Sequence, residues 1–349
     1  MAPNRPPRRS RDDPHEAQAR KAPVRIGSAP MSRTAVIIPV CNGAATVART
    51  IDSALAQGPD QPSVIVVDDG SFDDTPRILA RYGDRIKVLS QRNRGPSIAR
   101  NAGVAMAPDA DYLAFLDSDD VWLPGMLGTM LSALESSPAA VLAYCDVVTV
   151  DDEGRTLGIP LIDEDCAHAP TMDDLLTRWW PILTSGAVMC RDAFVRCGGF
   201  SEEFSAPGFE DPYMWLRMRE TGGFVFVPER LVLYRTIPPL QRMLKYAGGY
   251  KIFARLVRQR YGAAGWRLID ETTHAFVAAW GYQGLMALRA GDRRGAREAF
   301  SCAMRYRRFD LRTTARWLRT FLPTRAARAL SGSFVRQTRT RPELENYFR

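Results

Sequence analysis

Three carboxylates stand within four residues of the stretch DYLAFLDSDDVW, residues 111–122, and they are Asp117, Asp119 and Asp120. Like charges this close repel one another unless a positive group lies among them. Mg²⁺ and Mn²⁺ suit carboxylate ligands, and Mg²⁺ is commonly held by one or two carboxylates together with substrate phosphates. The cluster therefore indicates a divalent cation and a phosphate-bearing ligand. The alternative is that it forms the acidic start of a helix, VWLPGMLGTMLSAL, and we expect Asp120 itself to be structural.

Two further polar clusters follow apolar runs earlier in the chain: PVCNG at residues 39–43 and VDDGS at residues 67–71. Ligands of open α/β sheets bind beyond the carboxyl ends of the parallel strands, where those ends meet at one edge. We therefore expect one edge of a sheet to carry Asn42, Asp68, Asp69, Asp117 and Asp119.

The elements that would position these clusters alternate in type. Buried strands are predicted for TAVIIPV, SVIVVDDGS, IKVLS and DYLAFLD, and helix-like segments separate them. Such alternation is typical of a mostly parallel sheet with helices on both faces. The sequence therefore predicts the α/β class, with a catalytic domain over residues 34–236.

Charge is distributed unevenly along the 349 residues. The net charge is +5 over residues 1–34, −13 over residues 35–236 and +16 over residues 237–349. Residues 1–33 are rich in Pro and Arg, which predicts a disordered basic arm. Residues 237–349 are rich in Arg, Ala and Leu, which predicts a basic helical region. AGDRRG is the expected turn of a helical hairpin there.

Neither the cysteines nor the hydropathy point to export or to a membrane span. The six cysteines have no C-x-x-C spacing, no apolar run reaches 18 residues, and the N-terminus lacks the apolar core of a secretory signal. We expect a reduced chain in the cytoplasm.

Five motifs, in order, resemble family 2 of the glycosyltransferases, which have the GT-A type Rossmann-like fold. They cover about residues 34–236 and are VIIPVCNGAATVARTIDSALAQ, VIVVDDGSFDDT, NRGPSIARNAG, YLAFLDSDD and GGFSEEFSAPGFEDPYMWLRM. The resemblance implies transfer of a sugar from a nucleotide-diphosphate sugar to an acceptor hydroxyl, with inversion and a divalent metal. It also implies polysaccharide or cell-envelope glycan synthesis, with a glycan or a lipid-linked acceptor.

The resemblance gives individual residues expected roles. The nucleotide-sugar side would be formed by Pro39, Asn42, Asp69, Arg100, Asp117 and Ser118. Asp69 resembles the aspartate that accepts a hydrogen bond from the base, and Arg100 the arginine that reaches the diphosphate. Asp119 resembles the ligand of Mg²⁺ or Mn²⁺, with Asp117 beside it. The expected general base is Asp211, with Glu210 as the second candidate.

Two positions depart from the family pattern. Many relatives have a tyrosine where this chain has Cys41, and many have a histidine where this chain has Ile237. The first departure puts base recognition in doubt, and the second the completeness of the metal site.

Three other classes of function stay open at this point. A nucleotidyltransferase would share the layered α/β plan but usually has a glycine-rich phosphate loop, which PVCNGAATVART lacks. An inactive glycosyltransferase-like scaffold would fit the two departures. A nucleic-acid binder would fit the basic tail, but the tail has no recognition motif, and we expect no nucleic-acid partner.

The basic tail also suggests peripheral contact with an anionic membrane. In LRTTARWLRTFL, Leu311, Ala315, Leu318 and Leu322 fall on one side of a helix and three arginines, Arg312, Arg316 and Arg319, on the other. Such a helix could lie in the membrane interface. The alternative is that its apolar residues pack on the catalytic domain.

Overall fold

The structure is a computed structural model that describes residues 33–58, 62–158, 161–162, 164–204, 208–236, 239–306 and 311–321. The predicted N-terminal arm lies outside these residues except for Arg33, and so do Ile237 and the chain after residue 321. The predicted division into an arm, a catalytic domain and a helical region stays a prediction.

The described chain contains eight strands and eleven α-helices, which alternate strictly up to the fourth strand. The strands are β1 (Thr34–Val40), β2 (Ser63–Asp69), β3 (Lys87–Gln91), β4 (Tyr112–Phe115), β5 (Val121–Trp122), β6 (Ala140–Val150), β7 (Ala187–Cys190) and β8 (Gly223–Arg235). The helices up to β8 are α1 (Val47–Leu55), α2 (Thr75–Ala80), α3 (Pro96–Ala105), α4 (Met126–Glu135), α5 (Met172–Thr177), α6 (Arg191–Arg196) and α7 (Glu210–Thr221). The helices after β8 are α8 (Pro239–Tyr261), α9 (Trp266–Arg289), α10 (Arg293–Tyr306) and α11 (Leu311–Arg319).

All eight strands belong to one sheet, in the order β3-β2-β1-β4-β7-β6-β8-β5. The four strands from β3 to β4 are mutually parallel, as the alternation of strands and helices predicts. The other half is mixed: β7 runs antiparallel to both of its neighbours, β6 and β8 are parallel, and β5 is antiparallel to β8. The α/β class with C-terminal helices is confirmed, and the parallel part is the half of the sheet that carries the polar clusters.

The sheet is covered on both faces, so its central strands are apolar throughout. Alternate residues of β1 enter two separate cores: Ile37 packs with residues of α3 and α7, and Ile38 packs with residues of α1 and α4. Helix α3 lies especially close to the sheet, because a Cβ at Gly103 would stand 2.5 Å from Ile37 Cγ2. This close contact fixes the helix that carries Arg100.

The three polar clusters lie at the carboxyl ends of neighbouring strands. Val40 pairs with Asp68, Asp69 pairs with Gln91, and Asp117 follows β4, which pairs with β1. The alternative interpretation of the 117–120 cluster as a helix start is wrong. Strand β5 follows the cluster directly, and α4 begins only at Met126, so none of the three aspartates lies in its first turn.

The helices after β8 include the expected hairpin and two further helices that pack on it. Helices α9 and α10 pack along each other across the short turn at residues 290–292, and α8 and α11 pack on α9 and α10 respectively. On α11, Ala315 and Leu318 are exposed whereas Thr313 is buried. Two members of the predicted apolar side, Ala315 and Leu318, are therefore exposed, and Leu322 lies outside the described residues. Among the described residues, none of the helices combines the length and the apolar character needed to cross a bilayer.

Candidate active site

A cavity of about 910 Å³ opens at the carboxyl edge of the parallel strands. All nine predicted site residues line it: Pro39, Asn42, Asp69, Arg100, Asp117, Ser118, Asp119, Glu210 and Asp211. We call its lining residues between 39 and 119 the strand-end wall, and those between 161 and 276 the downstream wall. The fold thus brings these nine residues together, while their individual roles stay predictions; Asp68, expected at the same edge, accepts a hydrogen bond from the N–H of Ser71 and does not line the cavity.

Asp69 organises the loop between β3 and α3. Its Oδ1 accepts hydrogen bonds from Gln91 Nε2 at 2.7 Å and from the backbone N–H of Arg94 at 2.9 Å, and its Oδ2 accepts one from the N–H of Gly95 at 2.8 Å. A carboxylate can accept about four hydrogen bonds. Three are already used inside the protein, which leaves capacity for one more from a ligand.

Asn42 and Cys41 hold the loop after β1. The backbone of Asn42 lies in the left-handed region, at φ 56°, and its Oδ1 accepts a hydrogen bond from the N–H of Phe72 at 2.9 Å. Cys41 Sγ accepts one from Asn93 Nδ2 at 3.2 Å and lines the cavity, at the position where many relatives have a tyrosine. Asn42 therefore joins the loops after β1 and β2.

Arg100 joins the two walls. Its guanidinium donates to Asp117 Oδ1 at 2.7 Å and to Glu210 Oε1 at 3.1 Å, and only 4% of the residue is exposed. Burial alone would lower the pKa of Arg100, but the charges of Asp117 and then Glu210 raise it above its ordinary value. Both terminal nitrogens contact carboxylates, so the expected contact between Arg100 and a diphosphate stays a prediction.

A second arginine, Arg235 at the end of β8, contacts the other two aspartates of the cluster. Its Nη1 lies 3.3 Å from Asp119 Oδ2, and its backbone N–H donates to Asp120 Oδ1 at 2.9 Å. Asp120 is 1% exposed and also accepts a hydrogen bond from Ser185 Oγ at 2.5 Å. Burial, followed by the charges of Asp117 and Asp119, raises the pKa of Asp120 well above its ordinary value. These contacts agree with a structural role for Asp120.

The donor set fits a cation that shares its ligands with a substrate. In the part of the chain that the structure describes, no group of three His, Cys, Asp or Glu side chains could hold a metal ion. Asp117 and Asp119 are both partly exposed at the cavity. Two carboxylates completed by phosphate oxygens are a common set for Mg²⁺, so the residues fit the expected ion.

Glu210 and Asp211 form the first turn of α7, directly after Phe209, whose backbone lies in the left-handed region at φ 71°. The Oε2 of Glu210 accepts a hydrogen bond from the N–H of Gly208 at 2.7 Å. Burial and then the charge of Glu210 raise the pKa of Asp211 well above its ordinary value, although Arg100 acts in the opposite direction. A carboxylate with a raised pKa beside a cavity is typical of a general base.

Several residues that line the cavity were not predicted from the sequence. Phe209 lies inside the fifth motif, whereas the others come from segments without a recognised motif: Trp179, Arg235, Glu271, Thr272 and Phe276. Only the LYR run at the end of β8, which stands just before Ile237, could have pointed to Arg235. Trp215, in contrast, is 1% exposed and donates to the carbonyl of Ile182, so it belongs to the core.

Known proteins match the half of the chain that carries the motifs. The sequence profile of the family described as Glycosyl transferase family 2 matches residues 35–196. An uncharacterized glycosyltransferase of Rickettsia prowazekii is 37% identical over 123 residues, which are 35% of this chain and 38% of that protein. The succinoglycan biosynthesis protein ExoO of Rhizobium meliloti is 40% identical over 124 residues, 35% of each chain. The chain thus spans little more than a third of the length of these relatives.

Among solved structures, TarS of S. aureus has a similar fold. The crystal structure matches with a TM-score of 0.54 at 18% identity, over 81% of this chain and 50% of TarS. This likeness confirms the predicted GT-A type fold and says nothing further about this chain. The family profile and the two curated relatives show that residues 35–196 of this chain are similar to glycosyl transferase family 2.

Proposed function

We propose that this chain transfers a sugar from a nucleotide-diphosphate sugar to an acceptor hydroxyl. The observation that carries the proposal is Arg100, buried between Asp117 on one wall of the cavity and Glu210 on the other. This bridge holds the Asp117–Asp119 pair and the Glu210–Asp211 pair in one cavity. The first pair suits a metal-bound diphosphate, and the second suits proton removal from an acceptor.

The proposed reaction is a single displacement with inversion. The acceptor oxygen forms a bond to the anomeric carbon while the bond from that carbon to the diphosphate oxygen breaks, and the nucleoside diphosphate departs. The hydroxyl proton passes to Asp211. The raised pKa of Asp211 makes it a stronger base than an ordinary aspartate, once it is ionised.

The residues that would hold Mg²⁺ or Mn²⁺ are Asp119 and Asp117. When bound, the cation would act as a Lewis acid that stabilises the negative charge of the departing diphosphate. Arg235 contacts Asp119 at 3.3 Å and also lies 2.8 Å from Asp152, an aspartate that does not line the cavity. Arg235 therefore has a second anionic partner when a cation competes for Asp119.

We also propose a place in extracellular or envelope polysaccharide synthesis. The support is that a relative over the motif half is a succinoglycan biosynthesis protein, named as such. The match covers only 35% of that relative, so this proposal names a class of pathway and not an individual glycan.

Release of nucleoside diphosphate tests the reaction. The intact chain is incubated with UDP-, GDP- and dTDP-sugars and Mg²⁺ or Mn²⁺, and we expect one nucleotide class to be consumed and EDTA to stop its consumption. A nucleotidyltransferase would release pyrophosphate from a nucleoside triphosphate instead, and an inactive scaffold would release nothing.

Asp119→Ala and Asp152→Ala form a matched pair for the metal site, because both aspartates contact Arg235. We expect Asp119→Ala to lose nearly all diphosphate release and Asp152→Ala to retain at least half. Equal losses in the two variants would assign the effect to Arg235 rather than to a cation.

We also propose that the exposed side of α11 contacts an anionic membrane from the cytoplasmic side. Leu318 and Phe321 are each 55% exposed, the sequence of this helix contains three arginines, and residues 237–349 have a net charge of +16. Anionic lipids attract each nearby Lys or Arg by about 1 kcal/mol. The intact chain should float with anionic vesicles at low salt and be released at high salt. A chain with Arg312, Arg316 and Arg319 changed to Gln should float at least tenfold less, and equal flotation would refute the proposal.

A further inference from the structure

Trp179 differs from the other exposed large apolar side chains in its position. Ten such side chains are exposed in the part of the chain that the structure describes, and Trp179, at 39% exposure, is the one that lines the cavity. Its neighbour Trp180 is buried, and Trp180 Nε1 donates to the hydroxyl of Tyr144 at 3.1 Å. Trp180 therefore anchors the segment in the core, and Trp179 is left at the cavity surface.

A layer of packed aromatic rings supports Trp179 from behind. Its indole meets the ring of Phe209 edge to face, with 5.3 Å between the centroids. Phe209 in turn packs against Phe253 of α8 at 5.2 Å and Phe276 of α9 at 5.7 Å. Phe209 is thus held by rings of two helices, and Trp179, packed edge to face on it, offers an apolar surface to the cavity.

Polar groups stand beside this surface. Helix α9 contributes Glu271 and Thr272 to the cavity lining, and the carboxylate of Glu271 interacts with the backbone N–H of Trp179. The carboxylate of Glu271 therefore lies next to the backbone of the residue that carries the indole. An aromatic face with a hydrogen-bond acceptor at its rim suits a ligand that has both an apolar face and hydroxyl groups.

The aromatic surface also lies on the acceptor side of the proposed reaction. Phe209, which contacts Trp179, is followed immediately by Glu210 and then by Asp211. A general base must be within hydrogen-bond reach of the hydroxyl from which it removes a proton. The remainder of an acceptor whose hydroxyl meets Asp211 would therefore extend over the neighbouring downstream wall.

We infer that the acceptor is a saccharide, one ring of which stacks on Trp179 while a hydroxyl of that ring donates a hydrogen bond to Glu271. The inference rests on the proposed transferase function and adds to it the chemical class of the acceptor. A pyranose has C–H groups on one face and hydroxyls around its rim, which matches this surface. A bare isoprenyl phosphate has no hydroxyls to offer Glu271.

Acceptor kinetics test the inference with the full chain. The probes are methyl glycosides of common mono- and disaccharides, the same saccharides on an isoprenyl diphosphate, and isoprenyl phosphate alone. We expect Trp179→Ala to raise the KM for the best saccharide about tenfold, with the KM for the nucleotide sugar changed less than twofold, and Trp179→Phe to recover part of the loss.

Two control variants separate stacking from damage to the fold. Trp266→Ala removes another exposed tryptophan, outside the cavity, and should leave the kinetics unchanged. Glu271→Gln should raise the saccharide KM several-fold, whereas Glu298→Gln, in an exposed pair with Arg294, should not. Thermal unfolding of Trp179→Ala should match that of Trp266→Ala.

The outcomes distinguish this inference from the proposed function. If the intact chain consumes a nucleotide sugar but Trp179→Ala leaves the acceptor KM unchanged, the saccharide inference is wrong and the function stands. If only isoprenyl phosphate is glycosylated, the saccharide inference is wrong, sugar transfer from the nucleotide sugar stands, and the accepting atom is a phosphate oxygen instead of a hydroxyl. If no nucleotide sugar is consumed, the proposed function is wrong. Saturation-transfer NMR of the same saccharides, with nucleoside diphosphate present, then tests the inference. Binding that Trp179→Ala abolishes supports it. No binding to the intact chain, or binding that Trp179→Ala leaves unchanged, overturns it.

Discussion

The two walls of the cavity are built differently. The strand-end wall comes from three loops whose polar side chains are fixed by nearby backbone groups, as Asp69 is by the N–H groups of Arg94 and Gly95. The downstream wall comes from segments as far apart as Trp179 and Phe276, and its rings support one another. A polar, preorganised surface, which we propose for the donor, and a surface rich in aromatic rings, which we propose for the acceptor, therefore come from separate parts of the chain. Arg100 contacts both walls, and the ion pair between Arg235 and Asp119 is a second link between them.

The largest expected effect is on the downstream wall, at the proposed base. Asp211→Asn keeps the shape of the side chain but cannot take up the acceptor proton, so turnover should fall by a factor of about 10²–10⁴. The nucleotide-sugar affinity should stay within a few-fold, because the donor is expected on the other wall. Steady-state diphosphate release measures the change, with Asp192→Asn, in an exposed ion pair, as the control. Near-normal turnover would move the role to Glu210 or remove it.

The next largest effect concerns the bridge between the walls. Arg100→Leu leaves Asp117 and the 6%-exposed Glu210 without their shared partner, and breaking a buried ion pair on one side costs about 3 kcal/mol or more. Urea unfolding at pH 7 should show that loss. Arg196→Leu, which removes an exposed pair with Asp192, should cost less than about 1 kcal/mol. Equal losses in the two variants would mean that the walls do not depend on Arg100.

A smaller effect is expected on the strand-end wall. Asp69→Asn replaces a carboxylate that accepts three hydrogen bonds by an amide with one acceptor oxygen, which leaves a partly buried donor unsatisfied at a cost of about 1 kcal/mol. Unfolding should report this loss, and calorimetry with UDP, GDP and dTDP should report weaker binding of the preferred nucleotide. The exposed Asp74→Asn serves as the control. Unchanged stability and affinity would show that the loop does not need Asp69.

The smallest expected effect is a shift in the pH dependence of kcat/KM, through Glu210 and Asp211 of the downstream wall. Asp211 must be ionised to act as a base, so kcat/KM should rise with pH through its raised pKa. Because the charge of Glu210 contributes to raising that pKa, Glu210→Gln should move the acid limb to lower pH. Glu203→Gln, in an exposed pair with Arg255, should leave the limb in place. A shift to higher pH would contradict the assignment of the base.

The two walls also differ in how far the sequence predicts them. The motifs around Asn42, Asp69 and Asp117 follow apolar runs, and the rule that parallel strands end at one edge is enough to bring them together. Trp179 and Glu271 reach the cavity only through tertiary packing of α9 on α5, which no local spacing reveals. The sequence did not predict strand β5, because two residues carry no period, and it left two alternatives for the apolar side of α11, because the periodicity of a short helix does not identify the side that packs.

The contribution of α9 to the cavity has a consequence for protein engineering. The family profile ends at residue 196, yet Glu271, Thr272, Ala275 and Phe276 complete the cavity. A chimaera that joins this chain's motif half to the helices of a relative would therefore exchange one side of the reaction chamber. Under the proposed function, such chimaeras would form different glycosidic linkages, because the acceptor side is exchanged while the donor side of the parent is kept. They would have to include the aromatic contacts of Phe209 with α8 and α9, because that interface is where the two parts meet.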